Sequence, residues 1–383
     1  MKKKNFYTQD GIPLSPNEII VSLTSACNLR CSYCFHHKRK PIMMTKETAS
    51  SIIKFALKSD EGVSRVINLY GGEPTLNLDA MEQLLVTYKE MKYLGNTNSL
   101  YFYINTNGYE ISDRFIELIK EFRKITTFEF VLSLNGKKDC HDAVRKDYKQ
   151  EPTYDKIISN IKKLKKEIPD IYIDAHAVVD KLFVNDFYEN CKFMLSNKLF
   201  TKCSFELAYY GTDEEFTEED FATIYKSYNK LKKEFDEDLV YEMFEEIFKV
   251  DSYKNIKNGD VRICEAGHLI ICIDPKGDII PCDFYLSMED YSEFVLCNVK
   301  DTDRPVYSPK WEKYRKANLK HILGYTECCN GNGDRCTDCE FNVNCVVCTG
   351  MTEHFGEYLR VPSGQCDRVK KISKVFKELK MTN

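Results

Sequence analysis

Cys27-Asn28-Leu29-Arg30-Cys31-Ser32-Tyr33-Cys34 is the stretch on which the reading of this chain turns. It follows Ile19-Ile20-Val21-Ser22-Leu23-Thr24, a β-branched run that reads as a strand, so the three thiols sit on the loop leaving that strand. Three thiolates at CxxxCxxC spacing can hold three irons of a four-iron cubane and leave the fourth iron open to a small chelating ligand. Zinc is the alternative: it wants a closed tetrahedral set, which the same cysteines and His36 or His37 would supply.

Working outward, short β-branched or aromatic runs alternate with longer stretches of helical periodicity from residue 19 to residue 207. Strands are expected at Ile19–Thr24, Arg65–Tyr70, Leu100–Asn105, Phe128–Ser133, Ile171–Val179 and Cys203–Ala208, several of them apolar throughout, as strands covered on both faces are. Helices fit between them: one begins after Thr45, another is Leu78–Tyr93, a third is capped by Ser112, and two more cover Tyr154–Glu167 and Asn185–Asn197. The fold class is therefore α/β, a partial (βα)6 TIM-like barrel whose site lies at the C-terminal ends of the strands. The residues at those ends agree with this. Gly71-Gly72-Glu73-Pro74 comes after the second strand, Asn105-Thr106-Asn107-Gly108 ends the third, and Ser133-Leu134-Asn135-Gly136 ends the fourth. The glycines let a backbone come close to an amino acid ligand, Glu73 offers a charge for an ammonium, and Pro74 fixes the exit from the strand. Gly-Gly before a Pro is also ordinary turn chemistry.

The chain has 383 residues, room for two folded units, with 43% hydrophobic and 30% charged residues, a soluble globular composition. Net charge is −4, so electrostatics point to no nucleic-acid partner, and the lysines at 162 to 166 read as the solvated face of a helix. No run has the length of a membrane span, and the lysines after Met1 lead into no apolar signal segment, so a cytoplasmic location is expected. Seventeen cysteines in a reducing compartment argue for metal ligation rather than disulfides. Cys140, Cys191 and Cys203 stand apart from the rest and read as thiols without function.

The chain divides into three segments: the barrel at 1–210, an acidic then amphipathic helical connector at 211–260, and a cysteine-rich region at 261–383. The last opens on one hairpin, Leu269–Ile273 and Asp278–Pro281 around Asp274-Pro275-Lys276-Gly277. It is poor in core residues, so metal staples would be structural there.

The cysteine loop, GGEP, Thr-Asn-Gly and the strand-terminal serine, in this order and at these strand ends, resemble the radical S-adenosylmethionine (radical SAM) superfamily over about residues 17 to 208. The resemblance implies that Cys27, Cys31 and Cys34 bind a [4Fe-4S] cluster whose open iron takes the amine and carboxylate of S-adenosylmethionine. It further implies that Gly71, Gly72 and Glu73 meet the amino group, that Thr106 and Asn107 lie near the ribose, that Ser133 and Arg145 hold the carboxylate, and that Tyr33 lies against the adenine. Where Asn135 stands, the subfamily usually has Asp. Farther on, Cys264, Gly277 and Cys282, then Cys336-x2-Cys339-x5-Cys345-x2-Cys348 and Cys366, resemble the SPASM extension, although two residues rather than three separate Cys345 from Cys348. This implies two auxiliary [4Fe-4S] clusters, three in all: one on Cys264, Cys282 and Cys348, the other on Cys336, Cys339, Cys345 and Cys366. Cys272, Cys297, Cys328 and Cys329 are candidates for the missing ligand, unless the site is open for substrate, and Cys272 reads as core. A pair of zinc ribbons is the other reading of this region.

Asp283 directly follows Cys282, and anaerobic sulfatase-maturing enzymes carry a similar run whose aspartate acts as a base; a turn-capping Asp is the alternative. The resulting expectation is a maturase that takes a hydrogen atom from a residue of a ribosomally made peptide or protein and oxidises it, as in thioether or other cross-link formation. The runner-up is a sulfatase maturase making formylglycine from Cys or Ser, and the non-enzymatic alternative is a multi-cluster electron carrier. Implied partners are the peptide or protein substrate and an external low-potential donor of the flavodoxin or ferredoxin type. Fewer than twenty residues precede the first strand, so leader binding is expected to use the barrel, the acidic 211–220 stretch or a separate leader-binding protein.

Overall fold

The computed structural model describes residues 16–34, 40–58, 62–208, 216–252, 266–267, 269–301 and most of 370–378. The expected strands form where the runs predict them: β1 Glu18–Thr24, β2 Ser64–Gly71, β3 Ser99–Thr106, β4 Phe128–Ser133, β5 Tyr172–Val179 and β6 Lys202–Leu207. They pair in parallel in sequential order, β1 to β6. Between them run α1 Lys46–Leu57, α2 Leu78–Tyr93, α3 Asp113–Phe122, α4 Lys138–Val144, α5 Tyr154–Glu167, α6 Lys181–Asn185 and α7 Phe187–Ser196. The caps account for the starts: the Thr45 side chain accepts from Thr48 N, and that of Ser112 from Phe115 N. The short α4 is an addition to the expected helices; it has no side-chain cap to announce it.

The helices cover one face of this sheet and bury Ile52, Leu84, Phe115 and Ile161 against Ile67, Phe102, Ile104 and Phe130. The other face differs from the expectation of strands apolar on both sides. Buried and half-buried residues alternate along β2 through β6, and the half-buried set is polar at Asn68, Asn105, Glu129, Ser133, Asp174, His176 and Ser204. Period-two alternation of this kind belongs to a sheet with a core on one side and a polar lumen on the other.

After β6 come α8 Glu218–Leu231, begun by a Thr217–Asp220 capping box, and α9 Glu237–Ser252. They pack Phe221, Ile224, Val240 and Phe244 on β5, β6 and α7, together with Ile372 and Val375 from the helical residues near the end of the chain. The hairpin is β7 Ile270–Ile273 and β8 Asp278–Ile280, followed by β9 Cys297–Asn298. It does not stand apart from the barrel. β7 pairs in parallel with β1, giving one nine-stranded sheet in the order β6-β5-β4-β3-β2-β1-β7-β8-β9. Cys272 is buried in the main core, as expected, beside Ile271 and Ile273. Among the described residues no helix is long and apolar enough to cross a membrane.

Candidate functional site

The cysteine loop leaves β1 and is fixed by backbone bonds to a segment more than a hundred residues away: Arg30 N donates to Lys146 O at 2.7 Å and Ser32 N to Val144 O at 2.9 Å. On its other side lies the Gly-Gly turn. Gly72 N donates to Thr24 O and Glu73 N to Ala26 O, both at 2.8 Å. A Cβ on Gly72 would stand 2.1 Å from Ala26 O, and one on Gly71, whose φ is +117°, 2.5 Å from Thr24 O. The two glycines thus let the second loop seat against the first, where contact with a ligand was the expectation.

Glu73 is 1% exposed. Its Oε1 accepts from Thr75 N (3.1 Å), Thr75 Oγ1 (2.7 Å) and Thr106 Oγ1 (2.7 Å), and its Oε2 from Asn107 N (2.7 Å). Burial pushes its pKa up and these bonds pull it back only in part. The carboxylate expected to meet an ammonium instead ties the Gly-Gly turn to the Thr-Asn-Gly turn. Asn107 extends the tie to the cysteines: its Nδ2 donates to Asn28 Oδ1 at 2.8 Å and lies 3.8 Å from Cys27 Sγ.

Arg145, 5% exposed, closes the opposite side. Its guanidinium lies 5.2 Å from the centre of the Tyr33 ring, its Nε donates to Asn135 Oδ1 at 2.8 Å, and its Nη1 is 3.8 Å from Cys31 Sγ. Burial lowers its pKa, but the Tyr33 phenol and the three cysteines outweigh that and raise it. Tyr33 Oη also donates to Asn135 Oδ1, at 3.1 Å. An amide at 135 therefore does the gathering, and the guanidinium keeps its positive charge beside the thiols, within reach of the Glu206 carboxylate. Asn135 N donates to His141 Nδ1 at 3.3 Å, and the other ring nitrogen of His141 meets Thr153 Oγ1 at 3.1 Å. Thr153 Oγ1 in turn donates to Arg145 O, so His141 carries its proton on Nε2. Burial first, then Arg145, push the His141 pKa down to about 3; it is the hydrogen-bonder expected of it. Ser133 ends β4, half-buried, opposite His176 on β5.

Donor chemistry, burial and charge at this end fit an iron–sulfur cluster with an amino acid ligand. Burial, then Glu73, drive the Cys27 thiol up to about 12, with Cys31 and Cys34 adding to the rise, so the three thiols sense one another. A deprotonated set in this place calls for positive charge, which Arg145 provides in part and bound irons would complete. Among the described residues no three His, Cys, Asp or Glu side chains gather around a single ion; the thiolates of a cubane sit on separate irons and need no common one.

Asp283 reaches the same lumen from the far end. The register sets Ile20 beside Cys272 and Cys272 beside Ile280, and β8 runs back antiparallel, which returns Cys282 to the level of Glu18 at the start of β1. Burial first, then Glu206 and Glu18, push Asp283 up to about 6, and Asp283 in turn raises Tyr70. Two polar chains line the space between. Asn68 Nδ2 donates to Glu18 Oε1 at 2.7 Å and is itself joined by Asn105; Ser204 Oγ bridges Asp174 and His176 Nδ1, each at 2.9 Å. No sequence motif singles these residues out, although polar side chains at alternate positions of β5, Tyr172, Asp174 and His176, carry the signal. Cys282 and Cys297 are half-buried; Cys297 pairs with Ile279 and so lies level with Val21, not with Glu18. Cys264, Cys328, Cys329, Cys336, Cys339, Cys345, Cys348 and Cys366 lie outside the described residues, as do His36 and His37.

Residues 21–194 match the Radical SAM superfamily. The cysteine-type anaerobic sulfatase-maturating enzyme of Clostridium perfringens (strain ATCC 13124) is 26% identical over 349 residues, 84% of this chain and 89% of that protein. Its namesake from Clostridium novyi is 32% identical over 152 residues, 38% of this chain and 39% of that protein. In structure, native anSMEcpe with bound AdoMet superposes with a TM-score of 0.72 at 20% identity, covering 96% of this chain and 99% of that one; anSMEcpe is also solved with AdoMet and the Cp18Cys peptide. Streptococcus suis SuiB superposes with a TM-score of 0.65 at 19% identity, covering 92% and 78%, and is also solved with its precursor peptide SuiA. The three loops that interlock around Glu73 all fall inside the matched residues, and over those residues the chain carries a radical SAM catalytic domain.

Proposed function

We propose that this enzyme oxidises a cysteine or serine side chain of a peptide or protein to formylglycine, with Asp283 as the base. The observation that carries this reading is the place of Asp283: it faces Tyr70, which also senses Cys34 of the cysteine loop, and Glu206, which also senses Arg145. A side chain held among these groups would meet both the cofactor and a carboxylate. Alignment over 89% of a cysteine-type sulfatase-maturating enzyme favours this chemistry over cross-link formation, for which the support is likeness of fold to SuiB.

Cys27, Cys31 and Cys34 would hold the cluster, with Arg145 facing the carboxylate of S-adenosylmethionine and Tyr33, Thr106, Asn107 and Ser133 around it. The bound pair supplies one-electron reductive cleavage and with it a carbon radical able to take a hydrogen atom. The chain's own contribution is orientation and a proton site. Oxidising a cysteine to its thioaldehyde removes one hydrogen atom from Cβ, one proton from sulfur and one electron; Asp283 would take the proton, and water would then hydrolyse the thioaldehyde to formylglycine with release of hydrogen sulfide. An auxiliary cluster, with Cys282 among its ligands, would take the electron, and an external low-potential donor would start each turnover.

The test is incubation of the anaerobic, reconstituted protein with a cysteine-containing, sulfatase-derived peptide, S-adenosylmethionine and a strong reductant. Aldehyde trapped on the peptide supports the reading; 5′-deoxyadenosine without aldehyde rejects formylglycine formation and returns the cross-linking alternative to first place.

A further inference from the structure

Among the described residues, two buried side-chain nitrogen or oxygen atoms lack a hydrogen-bond partner, Ser287 Oγ and Asn28 Nδ2. The second lies within the cysteine loop. Its identity as nitrogen is fixed by a chain of bonds. Asn107 Oδ1 accepts from Tyr109 N at 2.8 Å, so the Asn107 amide must present its Nδ2 toward Asn28. Asn28 can answer only with Oδ1, at 2.8 Å, and its Nδ2 is left as the orphan. The Asn107 amide is held in that orientation by the bond from Tyr109 N, and its backbone N–H by Glu73 Oε2 at 2.7 Å.

A buried donor held without an acceptor is unfavourable, and it persists where something outside the chain completes it. The surroundings name the acceptor. Asn28 adjoins Cys27, whose Sγ accepts from Leu29 N at 3.4 Å and lies 3.8 Å from Asn107 Nδ2. N–H groups already converge on this sulfur, and Asn28 Nδ2 is the one left over.

We propose that Asn28 Nδ2 donates a hydrogen bond to a sulfur of the cluster held at Cys27 and so raises the reduction potential of that cluster. An N–H aimed at sulfur stabilises the negative charge gained on reduction, and hydrogen bonds to sulfur are among the levers that set such potentials. Asn28 is thus a positioning and tuning residue: it lets an ordinary cellular donor reduce a cluster that must still be a strong reductant. The assignment rests on the cluster reading of Cys27, Cys31 and Cys34.

The experiment is an anaerobic redox titration of the full chain with its clusters. It follows by electron paramagnetic resonance the signal that changes when S-adenosylmethionine is added, for the parent, Asn28→Leu and Asn28→Ala. The expected result is parent-like iron and sulfide content, with the reduced-to-oxidised ratio at a fixed applied potential about tenfold lower in both variants, a shift of about 59 mV for a one-electron couple. That shift is expected before any cofactor is added. Full iron content with an unmoved midpoint overturns the proposal, as does a shift that appears only with cofactor bound, which would assign the donor to the cofactor. Loss of iron from both variants also overturns it, in favour of a role in holding the loop. Zinc without acid-labile sulfide in the parent protein is the separate result that would sink the cluster reading itself.

Discussion

Gly72→Ala is expected to unseat the cysteine loop. The new Cβ would stand 2.1 Å from Ala26 O and 2.6 Å from Ala26 C, contacts with backbone that no side-chain rotation relieves. The two loops must separate, and separation breaks Gly72 N to Thr24 O and Glu73 N to Ala26 O. Overpacking costs about 1–3 kcal/mol, and each lost hydrogen bond adds about 0.5–1.5 kcal/mol, so the total is about 2–6 kcal/mol. At roughly 2–4 °C per kcal/mol for a unit of this size, the melting temperature should fall by roughly 4–24 °C. Iron content should fall with it, since the displaced residues adjoin Cys27. Gly95→Ala is the matched control: its φ is +89° but nothing lies within 4 Å of the added Cβ, so only left-handed strain of about 1–2 kcal/mol is expected, with iron unchanged. Thermal unfolding followed by circular dichroism, with iron counted on the same samples, checks both. A Gly72→Ala protein that melts with the parent and binds its full iron would refute the interlocked-loop account.

With Asp283 as the proposed base, Asp283→Asn should lower product formation by roughly 10²–10⁴-fold while 5′-deoxyadenosine release continues; loss of both in step, measured by chromatography, would remove Asp283 from that role. Glu73→Gln and Thr106→Val should show a coupling of about 0.5–3 kcal/mol in a double-mutant cycle of urea unfolding, since Thr106 Oγ1 donates directly to Glu73 Oε1. His141, held at about 3 against an ordinary 6.5, binds fewer protons folded than unfolded between those values. Its contribution therefore favours the folded state least at low pH: stability should fall below about pH 6.5 by up to about 1.36 kcal/mol per pH unit, and His141→Gln should flatten that part of a urea-unfolding profile.

Local patterns tell most of the barrel. Each of the six parallel strands is marked by a β-branched or aromatic run, and Thr45 and Ser112 mark helix starts, because propensity and capping act over a few residues. The polar lumen is harder to read, because the apolar members of each strand dominate its pattern: in β5, Ile173, Ala175 and Ala177 face the core while Asp174 and His176 face inward between them. The task of Glu73 is illegible for another reason. Its four donors come from positions 75, 106 and 107, and no spacing rule says that two turns more than thirty residues apart share one carboxylate. Asn135 shows the same limit, since one amide oxygen collects Tyr33 and Arg145 from opposite sides.

The pairing of β7 with β1 decides how the two halves of the chain cooperate. Had the hairpin joined the sheet antiparallel to β1, the segment after β8 would leave at the end where the cysteine loop lies. Parallel pairing sends β7 toward that end and β8 back from it, so the residues after Ile280 return beside Glu18. Asp283 then faces Tyr70 and Glu206, and these in turn sense Cys34 of the cysteine loop and Arg145. On the proposed chemistry the hydrogen atom leaves Cβ and the proton leaves the sulfur bonded to it, so both acceptors must come within reach of one side chain. One strand register thus brings Asp283, the proposed base, to the barrel from the hairpin, and no barrel loop has to carry it.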